Sequence, residues 1–167
     1  MSNKIGAFVA TKGLLTDVDT TQRNFLGAMV MDDAGCVYIY MNGVASVAAG
    51  DWCMYGQGAT TSLAFTAVRT LNDANSGGAG GMSIAMAAAV ATDFGWFQVY
   101  GLTQANANIA TTASVNAALY RSATTARLAA SAVAKDTVFG AWTVAASSSN
   151  VGQAFITYPH VVDQSTL

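Results

Sequence analysis

The chain has 167 residues, enough for one domain, or two very small ones, with a real core. Seven Lys and Arg against nine acidic residues give a formal net charge of -2, which leaves no basic field for a phosphate backbone and argues against nucleic acid as the main partner. Only 10% of residues are charged and 53% are hydrophobic, whereas an ordinary soluble domain carries about 25% charged residues, so part of the surface is expected to lie against something other than water.

All nine acidic residues are aspartates, which favour caps and turns, and there is no glutamate for exposed helical pairs. This predicts a turn-rich chain with little helix. Residues 1–24, including the polar "TDVDTTQ", alternate poorly and read as an N-terminal arm ahead of a β-rich domain over 25–167. The pattern sharpens at "FLGAMVM", which is followed by a turn in "DDAG" and then by "CVYIYM", rich in β-branched and aromatic residues. Strict alternation there puts Tyr38 and Tyr40 on one face and Val37, Ile39 and Met41 on the other. Asn42-Gly43 is a strong hairpin signal, with "VASVAAGD" as the return strand and "WCMYG" as the next one.

Arg69 to Gly81, "RTLNDANSGGAGG", is the most loop-like stretch and marks a candidate subdomain boundary at 69–81. The longest uncharged apolar run, residues 77–92, falls short of the ~20 residues a spanning helix needs, so no membrane helix is expected. Within it the alanines of "MSIAMAAAVA" suit a helix, but Gly on one side and "TDFG" on the other favour a strand, with Thr92 to Gly95 turning into "WFQVY". Extended, that run puts Trp96, Gln98 and Tyr100 on one face, with Phe97 and Val99 on the other. If Phe97 and Val99 face the core, Trp96, Gln98 and Tyr100 become candidates for an outward interface strip, together with Tyr38 and Tyr40. Trp and Tyr suit that role because each combines a large contact area with one polar handle; the competing reading is that Trp96 merely caps the barrel. "ASVNAALYRS" and "SAVAKDTVFGAW" repeat the idiom of small residues, a turn and an aromatic strand. "NVGQAFITYPHVV" closes the chain with a strand that Pro159 confines to an edge or a strand end. Many short strands between Gly, Asp, Ser and Asn turns predict an all-β fold, a small barrel or sandwich of antiparallel strands.

Residues able to carry chemistry are sparse. A Ser-His-Asp set can be drawn on paper with His160 and Asp163, but no G-x-S-x-G elbow supplies the nucleophile, and His160 reads better as a satisfied or solvated histidine. Asp32, Asp33 and Asp73 offer oxygen ligands without the bidentate glutamate of an EF-hand, and their stretches read better as turns. The glycines of "GGAGG" lack the strand-to-helix context of a nucleotide loop. Cys36 and Cys53 make neither a disulfide framework nor a metal pattern; they read as small core residues, with a single disulfide between them left open. The N-terminus, broken by Lys12, does not read as a signal peptide. No enzymatic activity, cofactor or metal is expected.

The order "VYIYMNGVASVAAGD", an apolar strand, "GWFQVYG", "ASVNAALY", "VFGAW" and a closing "ITYPHV", over Phe25 to Val161, resembles the head decoration, or cement, proteins encoded beside the major capsid protein in many tailed bacteriophages. The resemblance implies a β-rich structural protein, usually a homotrimer. It implies assembly in the host cytoplasm onto the virion exterior, clamping neighbouring major capsid protein subunits, with an N-terminal arm and no catalytic residues. The alternatives are a carbohydrate- or host-binding module of a tail or fibre, and a tail-tube or minor coat subunit.

Overall fold

The computed structural model describes residues 14–43, 46–55, 66–69, 80–89, 92–103, 107–110, 113–122, 124–130 and 137–161, with 66–69 described by their backbone. The fold is all-β, and no helix occurs among the described residues. Twelve strands follow in chain order: β1 (Met29–Met31), β2 (Val37–Gly43), β3 (Trp52–Tyr55), β4 (Thr66–Arg69), β5 (Gly80–Ala85), β6 (Phe94–Leu102), β7 (Ala107–Asn108), β8 (Ala118–Arg121), β9 (Leu128–Ala129), β10 (Thr137–Thr143), β11 (Val151–Gly152) and β12 (Ala154–Val161).

Ten of these make one sheet in the order β1-β2-β4-β3-β5-β6-β12-β10-β8-β9, and β7 pairs with β11 separately. Every pairing is antiparallel except that of β2 with β4. Further pairings of β2 with β6 and of β5 with β12 bend the sheet back on itself. It is not closed into a barrel, and the result is sandwich-like.

Alternating side chains sort the core into layers. β3 sends Trp52 and Met54 into one cluster, with Ile84, Ile109, Leu119, Leu128 and Ile156, and sends Cys53 into the next. β2 and β6 contribute Val37, Ile39, Met41, Phe97 and Val99 to that second cluster. Their opposite faces carry Tyr38, Tyr40 and Trp96 into a third, which residues from the N-terminal segment cover.

Several sequence expectations are corrected. Asn42 and Gly43 do not turn a hairpin: they continue β2, where they pair with Thr66 and Ala67 of β4. Of "VASVAAGD", Val47 makes an isolated bridge with Ala89, and no return strand forms among its described residues, 46–51. Pro159 lies neither on an edge strand nor at the last residue of its strand. β12 runs between β10 on one side and β6 and β5 on the other, and Pro159 sits in it at a bulge, where its missing N–H breaks no ladder. Residues 1–13 of the expected arm lie outside the described residues, and residues 14–24 pack on the body, with Val18, Asp19 and Asn24 turned inward. Most of the 69–81 boundary also lies outside the described residues.

Candidate docking face

The strip expected to face outward is mostly interior. Tyr38, Tyr40 and Gln98 are 0% exposed and Trp96 3%; of the five residues only Tyr100 reaches the surface, half-buried. The cause is the strap formed by residues 14–31. Leu15, Leu26 and Ala28 pack on the cluster of Tyr38, Tyr40, Met86 and Trp96, and the strap is pinned to β6 by reciprocal backbone hydrogen bonds between Asp19 and Phe94, at 2.8 and 2.9 Å.

The buried tips of Tyr38, Tyr40 and Gln98 are hydrogen-bonded, as burial demands. Tyr40 donates to Asp19 Oδ2 at 2.8 Å, and the Arg23 Nε lies 3.0 Å from Asp19 Oδ1. Tyr38 donates to Asp32 Oδ2 at 2.8 Å, while Asp32 Oδ1 accepts from the backbone N–H groups of Ala34 and Cys36. Asp32 is therefore a turn-maker. Gln98 Nε2 donates to the carbonyls of Tyr100 and Leu102. Burial pushes the Tyr40 phenol up to about 12, with the neighbouring Asp19 adding to it, and burial raises Tyr38 further, helped by its bond to Asp32. The sequence did carry this signal. "VYIYM" has no polar residue at either parity, which marks a strand covered on both faces.

A different set of aromatic residues reaches the surface, on β6, β12 and β10. Phe139, Trp142, Tyr158 and Leu102 are exposed, and Tyr100 and Phe155 are half-buried beside them. The rings are in register. Trp142 faces Phe155 across the ladder and stacks on it with centroids 5.3 Å apart; Phe139 faces His160 and stacks at 5.5 Å. Tyr100 joins the two ends, 5.9 Å from Phe155 and 5.7 Å from Tyr158. Apart from His160, β6, β10 and β12 contain no Lys, Arg, Asp or His. This is an uncharged aromatic face of the kind that excludes water when another surface covers it. The break in alternation at "VFGAW" and "TYPH" was the sequence signal for it, since a glycine between two aromatics marks a bulge.

Of the residues weighed for chemistry, His160 lies exposed against Phe139, and Asp73 and Asp163 lie outside the described residues. Cys36 and Cys53 are buried thiols in different clusters: Cys36 Sγ donates to the Leu102 carbonyl at 3.4 Å and Cys53 Sγ to the Asp51 carbonyl at 3.8 Å. Among the described residues no group of three or more His, Cys, Asp or Glu could hold a metal ion. No protein-family model, curated protein or solved structure matches the chain.

Proposed function

We propose that the chain is a structural virion protein, a head decoration protein of a tailed bacteriophage. In this role it forms a homotrimer on the capsid exterior and binds across junctions between major capsid protein subunits. The observation that carries the proposal is the uncharged aromatic face of Phe139, Trp142, Phe155, Tyr158, Tyr100 and Leu102. A face of this kind gains free energy by leaving water, and the sparse charge of the whole chain fits a molecule covered by neighbours. A standard interface removes ~1,600 Å² in total, and on a shell it is repeated over many copies. The test is co-sedimentation with expanded shells of the coat protein from the same genome, with the oligomeric state of the free chain measured by light scattering. Saturable binding that Trp142→Ala weakens at least tenfold supports the proposal; a monomer that ignores the shells overturns it.

The same exposed rings favour one second reading, a carbohydrate-binding module, because Trp142 and Tyr158 present flat surfaces on which sugar rings stack. Quenching of Trp142 fluorescence by oligosaccharides, absent with shells alone, selects that alternative.

A further inference from the structure

The outer aromatic face is built on a local break in the sheet. Between the register pairs Phe139–His160 and Ala141–Ile156, β10 supplies Gly140 alone while β12 supplies Thr157, Tyr158 and Pro159. The extra length re-phases both strands. In β10, Phe139 and Trp142 both face out although they are three positions apart, and in β12 exposed Tyr158 and His160 flank buried Pro159. Such bulges re-aim side chains.

Two residues take the conformational load. Gly140 has φ +74, and a Cβ there would lie 2.7 Å from the Thr157 carbonyl oxygen, so glycine suits the position. Tyr158 has φ 49 with no such licence. Bulky residues avoid positive φ, and a residue before proline is pushed toward extended backbone. Burial does not explain its retention, since Tyr158 is 49% exposed. Its ring lies 5.7 Å from that of Tyr100, at the centre of the outer face. Positive φ recurs at six other non-glycine residues, but among them Tyr158 alone is aromatic and alone precedes proline. Strained backbone persists where the surroundings over-determine it, and it clusters at ligand-contacting sites.

We infer that Tyr158 is the specificity-determining contact of the outer face, held at a strained backbone position so that its ring and hydroxyl project beside Tyr100 toward the bound partner. The inference rests on the docking proposal above and names the partner's chemistry. A charged segment would lose hydration against β6, β10 and β12, which apart from His160 carry no Lys, Arg, Asp or His to meet it. The occupant is therefore an uncharged, apolar stretch of the coat subunit that offers an acceptor to the Tyr158 hydroxyl.

The experiment compares Tyr158→Gly, Tyr158→Ala and Tyr158→Phe with Trp142→Ala, reading thermal melting of the free chain and co-sedimentation with expanded coat shells. Glycine and alanine both delete the ring, so their difference reports the backbone alone. Glycine is expected to melt about 2–4 °C above alanine, the reverse of their usual order. Both are expected to bind shells at least tenfold more weakly than the parent, and Tyr158→Phe to lose a few-fold through its missing hydroxyl. An alanine variant as stable as the glycine variant overturns the strain. Parental shell binding by Tyr158→Gly, with binding lost in Trp142→Ala, overturns the assignment of Tyr158 and leaves the docking proposal standing. No shell binding by the parent chain overturns both.

Discussion

Tyr40 donates its hydroxyl hydrogen to Asp19 across 2.8 Å, and this bond ties the strap to the sheet it covers. The acceptor is buried and also lies 3.0 Å from the Arg23 guanidinium. Removing the donor leaves a carboxylate oxygen out of water with one partner fewer. Tyr40→Phe is therefore expected to lower stability by about 1–3 kcal/mol in urea unfolding, although it adds no cavity and changes little volume. A variant as stable as the parent would show that the strap is held by its apolar contacts alone.

The same burial sets a pH dependence. In the folded chain the Tyr40 phenol titrates at about 12, above its ordinary value near 10, and Tyr38 is raised too. Between those pH values the folded state keeps protons that the unfolded state has released, so stability falls as pH rises. Its contribution is full below about pH 10 and is lost progressively on the way to about 12. Urea unfolding at pH 8, 10 and 11.5 is expected to show a falling midpoint, with a shallower fall in Tyr40→Phe. A midpoint that rises over this range contradicts the burial of both phenols.

Trp96 and Trp142 are expected to trade the roles that alternation alone suggested for Trp96. Trp96 is enclosed by Tyr40, 5.1 Å between centroids, and by the strap. Trp96→Ala opens a cavity and is expected to cost about 3–5 kcal/mol. Trp142 keeps 36% of its surface exposed, so Trp142→Ala loses partial burial and its stacking on Phe155 and is expected to cost less, about 1–2 kcal/mol. Chemical denaturation of the two variants decides the matter, and similar losses would mean that Trp142 is packed more tightly than its surroundings indicate.

These residues also show what the sequence could and could not disclose. Strand positions were legible at β2, β3, β6 and β12, because β-branched and aromatic runs end at Gly, Asp or Asn turns. The strand read in "MSIAMAAAVA" stops at Ala85, and Phe94 and Gly95, read as a turn, open β6. Pairing was not. β2 meets β6 more than fifty residues later and β4 in parallel, so Asn42-Gly43 is overruled as a hairpin by partners that no local signal announces. Facing was only half legible. Alternation correctly separated Tyr38 and Tyr40 from Val37 and Ile39, and the lack of polar residues in "VYIYM" signals cover on both faces, but nothing local names the strap of residues 14–31 as that cover. The outer face was marked only by its break in alternation, which does not say where the side chains point. A bulge shifts the period at Gly140 and Tyr158, and a period-two template then assigns Trp142 to the wrong side.

Gly140 offers the most direct handle on that shift. Alanine there meets the Thr157 carbonyl oxygen at 2.7 Å and must adopt a positive φ. Gly140→Ala is expected to destabilise by about 1–3 kcal/mol and to disturb the register between Phe139 and Trp142. Backbone amide shifts confined to β10 and β12, together with the lower midpoint, are the expected signature. Parental stability would place the bulge elsewhere.

Tryptophan emission gives a test that needs no partner and no unfolding. Trp52 is 0% exposed and Trp96 3%, whereas Trp142 is 36% exposed. Acrylamide is expected to quench one class of tryptophan readily and leave the other two protected, and Trp142→Phe to abolish the accessible class while keeping the protected emission. On a surface that covers the outer face, the accessible class should become protected in the parent chain as well. Trp142 therefore reports occupancy of the face directly: shell-bound protein whose Trp142 stays open to acrylamide would place the contact on another side of the molecule, whatever its affinity.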